Sequence, residues 1–162
     1  MWSYPAFPVV VLAACAPHAQ LSAPDTPPTI TAYAMNLDDT GPPSCTLPFE
    51  GDTRCPAVTA PGVPLDSQQR SRLLTLLTDR RTFGEPEPKC FIPHHAFVVR
   101  DATGEILQQV AVCFLCENLR SSPTLPAQPE NPARSALSPT GLTDLQALCH
   151  ELGLPRCDGN RP

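Results

Sequence analysis

The chain has 162 residues, a formal net charge of −5 and only 6% aromatic residues. No basic stripe or aromatic platform is on offer, which excludes a nucleic-acid surface. Proline is the compositional outlier: of 22, ten fall between Pro17 and Pro64, five between Pro123 and Pro139, and only three between Leu65 and Arg120. The proline-poor block is therefore where a core is expected.

The chain opens with MWSYPAFPVVVLAAC, which carries no charge and has an apolar run from Ala6 to Ala14. Such a run is too short to span a bilayer as a mature helix but has the length of a signal-peptide core. Its end, Leu12-Ala13-Ala14-Cys15, resembles the bacterial lipobox, although Met1 to Tyr4 lack the usual Lys or Arg. The resemblance implies removal of residues 1–14, diacylation of Cys15 on sulfur, and a membrane as partner through that lipid. Ala16 rather than Asp after the cysteine implies an outer-membrane address facing the periplasm. Residues 15–64 are then expected to form a lipidated, proline-rich tether and loop, with residues 65–162 as the folded domain.

Within the tether, Thr29 to Asn36 (TITAYAMN) alternates enough for a strand docked on the main sheet, or it is extended and unpaired. Cys45 and Cys55, ten residues apart, suit a local disulfide that would stabilise the loop by about 2–3 kcal/mol in the chain-entropy description.

A helix is predicted in LDSQQRSRLLTLLTDRRTFG. Asp66 and Gln69 have capping-box spacing, Leu73, Leu76 and Leu77 make an apolar stripe, and Gly84 suits the stop. A second is predicted in LSPTGLTDLQALCHELGLPRC. Ser138 caps it, Pro139 suits the first turn, and Leu142, Leu145, Cys149 and Leu152 share a face. Gly153 and Pro155 end it. The chain must then turn back, which brings Cys157 near Cys149 for a second disulfide, while His150 reads as a surface histidine.

Between the helices, HAFVVR and EILQQVAV flank DATG as a hairpin. Pairing Arg100 with Glu105 sets Cys113 opposite Ile92, so that Cys90, His94 and Cys113 share a face. A one-residue slip brings His95 forward instead.

An exported chain meets an oxidising compartment, where disulfides are the default. Without Cys15, seven cysteines remain. Pairing Cys45 with Cys55 and Cys149 with Cys157 leaves Cys90, Cys113 and Cys116. With His94 or His95 these make a closed Cys3His zinc set. Alternatively, Cys90 pairs with Cys113 or Cys116 and one thiol is left over. A third reading uses Cys113-Phe114-Leu115-Cys116 as the C-x-x-C of a thiol-disulfide redox protein, although the following ENLRSSPTLPAQP promises no helix to activate it. A Cys90–histidine catalytic dyad lacks a legible orienting group. No G-x-S-x-G, glycine-rich phosphate loop or paired-carboxylate motif occurs, and Glu117 stands where haem attachment needs histidine.

The segments Cys90-Phe91-Ile92-Pro93-His94-His95 and Cys113-Phe114-Leu115-Cys116, joined by the D-x-x-G hairpin, resemble a group of uncharacterised bacterial exported or lipid-anchored proteins. The likeness spans Leu65 to Arg120 and takes in LCHELGLPRC. It implies one domain and nothing about a substrate. The resulting expectation is a small α+β, cysteine-rich, helix–β-hairpin–helix domain with long proline-rich irregular segments. Its role would be structural or binding at the cell envelope, with thiol redox chemistry as the rival class and a protein partner that the proline-rich connectors could host. So few ordered residues need crosslinks or a metal to hold them.

Overall fold

The computed structural model describes residues 27–37, 45–59, 61–85, 90–129 and 135–159. Cys15, the signal-peptide segment and the first part of the tether lie outside these residues. In chain order the elements are β1 (Thr29–Ala34), β2 (Phe49–Glu50), β3 (Thr53–Arg54), β4 (Val63–Pro64), α1 (Ser67–Thr78), a 3-10 turn (Arg80–Thr82), β5 (His95–Arg100), β6 (Ile106–Cys113), β7 (Asn118–Ser122), β8 (Ser135–Ala136) and α2 (Pro139–Glu151). The fold is α+β. It is built on a six-stranded antiparallel sheet in the order β4-β1-β5-β6-β7-β8, with β2 and β3 as a separate two-stranded ribbon.

The expected hairpin is present as β5–β6, but it is the middle of a larger sheet. Strand β1 fills the place beside β5 over its whole length, Thr29 opposite Arg100 through Ala34 opposite His95. The alternation in TITAYA sorts the two faces of β1: Ile30, Ala32 and Ala34 are buried on one, and the partly buried Tyr33 packs on the other. The sheet thus takes in β1 and β4, both N-terminal to Leu65.

The two sheet faces carry separate cores. On the first, Ile30 and Ala32 of β1, Phe97 and Val99 of β5, Val110 and Val112 of β6 and Leu119 of β7 meet Leu73 and Leu77 of α1 and Leu145, Leu148 and Cys149 of α2. On the second, Ala96, Ala111 and Cys113 pack with Met35, Val58 and Phe91, under the loop closed by Cys45 and Cys55. Both helices begin as their sequences require. Asp66 accepts from the Gln68 and Gln69 amides while the Gln69 side chain accepts from the Asp66 amide, and Ser138 Oγ accepts from Gly141 N at 3.0 Å. Gly141 lets α2 lie against the 3-10 turn, where a Cβ would run into the Thr82 carbonyl.

The hairpin register differs from the expected one. A bulge at Val99/Arg100 and a five-residue loop, Asp101 to Glu105, set Arg100 opposite Ile106 and His95 opposite Val112. The expected pairing puts Val110 opposite His95. Asp101 is the cause. Its Oδ1 accepts from the Thr103 and Glu105 amides and from Thr103 Oγ1, which lengthens the loop and holds its carboxyl below the usual aspartate pKa, the Thr103 side-chain bond contributing most. Gly104 completes the turn at φ +91. The two-residue offset preserves which face each side chain occupies.

Candidate functional site: two sulfur clusters on opposite faces of one sheet

All seven described cysteines lie near another cysteine. Cys45–Cys55 and Cys149–Cys157 are at disulfide distance with Cα separations of 6.4 and 5.6 Å. Cys116 is at disulfide distance from both Cys90 and Cys113, with Cα separations of 5.7 and 5.2 Å. All four separations fall in the range that a disulfide spans. One sulfur forms one disulfide, so the last two pairings exclude each other, and a third sulfur always remains within reach.

Three segments build this cluster. Cys113 ends β6 on the second face, fully buried. The turn Phe114–Glu117, with Glu117 at φ +50, brings Cys116 back over it. The Cys116 amide lies 3.1 Å from Cys113 Sγ and donates to it, an arrangement that favours the thiolate. Cys90 arrives from the segment before β5 and is held there by Asn118, whose Nδ2 donates to the Cys90 carbonyl at 2.8 Å. Beside it, the Arg120 guanidinium lies 4.7 Å from the centre of the Phe91 ring. Cys113 and Cys116 are buried and Cys90 is exposed, so the cluster is reached from the Cys90 side. The C-x-x-C leads into β7 rather than a helix, so no helix N-terminus acts on Cys113.

The sulfurs of Cys90, Cys113 and Cys116 lie within 4.8 Å of one another, close enough to hold an ion, but neither His94 nor His95 belongs to that group. Strand alternation explains His95. With Phe97 and Val99 it projects to the first face, opposite to Cys113. His94 precedes the strand, and its Nε2 lies 3.3 Å from Arg156 Nη1. The expected Cys3His set is therefore not assembled around these three cysteines.

His95 instead meets the C-terminal cysteines. One of its ring nitrogens and the sulfurs of Cys149 and Cys157 lie within 4.8 Å of one another, and all three residues are buried. The ring sits 4.8 Å from that of Phe114, and Nε2 is 2.6 Å from the Pro155 carbonyl oxygen. A carbonyl only accepts, so Nε2 carries the proton. Nδ1 is buried with no hydrogen-bond partner. Burial pushes the His95 pKa down to about 4, against the opposite pull of the Pro155 carbonyl and with smaller lowering contributions from His94 and Arg156. Sequence reasoning misses this second group because closeness along the chain couples His95 to Cys90. The period-two pattern of HAFVVR, with Phe97 and Val99 as its apolar partners, is the signal that places His95 toward the helices.

His150 lies on the exposed side of α2, its Nε2 2.7 Å from Asp158 Oδ1. A surface cleft of about 450 Å³ borders the β2–β3 ribbon, lined by Leu47, Phe49, Arg54 and the Cys45–Cys55 pair among others. Among the described residues no helix is long and apolar enough to cross a membrane. No family, curated protein or solved structure matches this chain.

Proposed function

We propose that the chain is an exported cell-envelope protein, anchored by lipid at Cys15 and facing the periplasm from the outer membrane, with a structural or binding role. The observation that supports export is the pairing of the cysteines: every described one has a neighbour at disulfide distance, on both faces of one small sheet, while the lipid anchor rests on the Leu12-Ala13-Ala14-Cys15 ending alone. In an oxidising compartment such placement lets disulfides form, and an oxidised chain is stabilised by them. The domain is then a stapled scaffold. The cleft beside the Cys45–Cys55 loop is a surface where a protein partner of the envelope could bind.

A second reading, thiol-disulfide exchange, is favoured by the one sulfur that two others can reach. A thiolate at Cys90 attacking a Cys113–Cys116 disulfide at Cys116 would form Cys90–Cys116 and release Cys113 as thiolate, which the Cys116 amide is placed to stabilise. With all three reduced, the same sulfurs would offer a zinc ion three thiolates, and Cys90 would leave the site open on one side.

Two measurements test the proposal. Cys15→Ala should turn a membrane-pelleting protein into uncleaved precursor or a soluble form; a mutant that fractionates and migrates like the parent removes the anchor. Thiol counting on protein purified without reductant separates the fates of the cluster. One reactive thiol and no zinc by elemental analysis is the stapled form. One equivalent of zinc, with three thiols exposed by a chelator, is the metal form. Exchange activity toward a small disulfide, lost in Cys116→Ser while the fold persists, is the redox form.

A further inference from the structure

We infer that His95, Cys149 and Cys157 form a second, redox-gated metal site for a thiophilic d10 cation, closed while the C-terminal disulfide is intact and opened when a dithiol reduces it. The site lies on the first face of the sheet and stands apart from the reading of Cys90, Cys113 and Cys116.

Three observations converge on it. The donors are already gathered: one or other ring nitrogen of His95 and the two sulfurs lie within 4.8 Å of one another. They come from three separate places, β5, the end of α2 and the turn after it, so this is a product of the tertiary fold and not of a local sequence motif. The histidine is oriented as a ligand usually is. Metal-bound histidines typically donate their other ring N–H to a backbone carbonyl or a carboxylate, which sets the tautomer and the ring angle. Here Nε2–H donates to the Pro155 carbonyl at 2.6 Å, which leaves the Nδ1 lone pair as the one available to an ion. Finally, that Nδ1 is a buried polar atom without a partner. An unsatisfied buried acceptor is destabilising, and a bound cation would remove that penalty.

The chemistry fixes the class of ion. Two thiolates and a neutral imidazole are soft or borderline donors, the set that selects zinc or copper(I) over magnesium or calcium. In a site where all three residues are buried, overall charge matters. Two thiolates cancel the charge of Zn2+, so the filled zinc site is electrically neutral.

The gate follows from the same atoms. While Cys149 and Cys157 share a disulfide, neither is a thiolate and the site cannot bind. A dithiol reductant transfers two electrons and two protons: the Cys149–Cys157 bond breaks, two thiols form, and the reductant closes its own disulfide. Cys157 Sγ then has a hydrogen-bond acceptor in place, the Leu154 carbonyl oxygen at 3.1 Å. Binding of Zn2+ displaces the two thiol protons to solvent. Reoxidation by a disulfide expels the ion.

Differential alkylation of the full chain tests this directly. Protein reduced anaerobically with a dithiol, then freed of it, is treated with an alkylating reagent with and without added Zn2+, and each cysteine is read by peptide mass. Zinc should protect Cys149 and Cys157 together at least tenfold, and a chelator should abolish that protection. In His95→Gln, which keeps a neutral side chain of similar reach, protection of this pair should fall at least tenfold while Cys90, Cys113 and Cys116 respond to zinc as in the parent. Co2+ in place of Zn2+ adds a spectroscopic reading: part of the thiolate-to-cobalt absorption should vanish in Cys149→Ser/Cys157→Ser. If zinc leaves Cys149 and Cys157 as reactive as before, or protects them equally in His95→Gln, the site does not exist. The first of these outcomes is decisive whether or not a variant folds, because the protection is read on the unmutated protein.

Discussion

His95 is the residue at which buried chemistry and stability meet. Its imidazole is neutral in the folded, oxidised protein because protonation would place a charge among the β-sheet, Phe114 and the C-terminal cysteines, with His94 and Arg156 adding repulsion. The folded pKa of about 4 lies below the ordinary 6.5, so between those values the unfolded chain binds the extra proton. Stability contributed by this group is thus complete above about pH 6.5 and is lost as the pH falls toward 4, up to about 3 kcal/mol. Denaturant unfolding of the oxidised, chelator-treated protein at pH 7.5 and 4.5 should show this fall, and His95→Gln should flatten most of it. A parent protein equally stable at both values would mean that His95 is not held neutral by burial. Asp79 and Asp101, both with lowered pKa, lose their stabilising hydrogen bonds only below the ordinary aspartate range, so they leave this window untouched.

At the scale of elements, α2 and its junction with the 3-10 turn carry the most exacting contact. Gly141 faces the Thr82 backbone with no room for a methyl, and backbone cannot rotate aside as a side chain can. Gly141→Ala should destabilise by about 1–3 kcal/mol despite the better helix propensity of alanine, measured by chemical denaturation. A stabilised variant would show that α2 can move off the turn. The capping box is the milder contrast. Asp66→Ala should cost about 1 kcal/mol, since it unpairs two exposed amides that water can reach. In the core, Leu145 and Leu148 are fully buried between α2 and the sheet, and truncating either to alanine should cost about 2–5 kcal/mol.

For the whole molecule, the decisive element is β1. It lies between β4 and β5 in the interior of the sheet and supplies Ile30 and Ala32 to the first core. A chain cut to begin at Leu65 would expose the edge of β5, a row of unpaired backbone groups beside a run of buried apolar residues. It should be insoluble or lack a cooperative thermal transition, whereas one beginning at Pro27 should fold. Cooperative melting of the shorter chain, with the stability of the longer one, would show that β1 is dispensable.

Local rules legible in the residues alone locate α1, α2 and the β5–β6 hairpin: capping side chains, a stop glycine, helical spacing of leucines and a polar turn between alternating strands all act within a few positions of one another. The proximity of Cys45 to Cys55 and of Cys149 to Cys157 is legible for the same reason, since ten and eight residues cannot separate far. The place of β1 is not, because alternation marks a strand but does not choose its neighbour. The hairpin register departs by two residues from the expected one because a bulge at Val99/Arg100 and an aspartate-anchored loop are matters of backbone geometry. The histidines depart for a larger reason. Cys90 and His95 are near in sequence, yet Cys90 lies before the strand while His95 follows the alternation of β5 to the first face, and what each face then meets is decided by elements from elsewhere in the chain. Only the packing of α2 on the first face brings Cys149 and Cys157 to His95. Only the turn after β6, together with Asn118 holding the Cys90 carbonyl, gathers three sulfurs on the second.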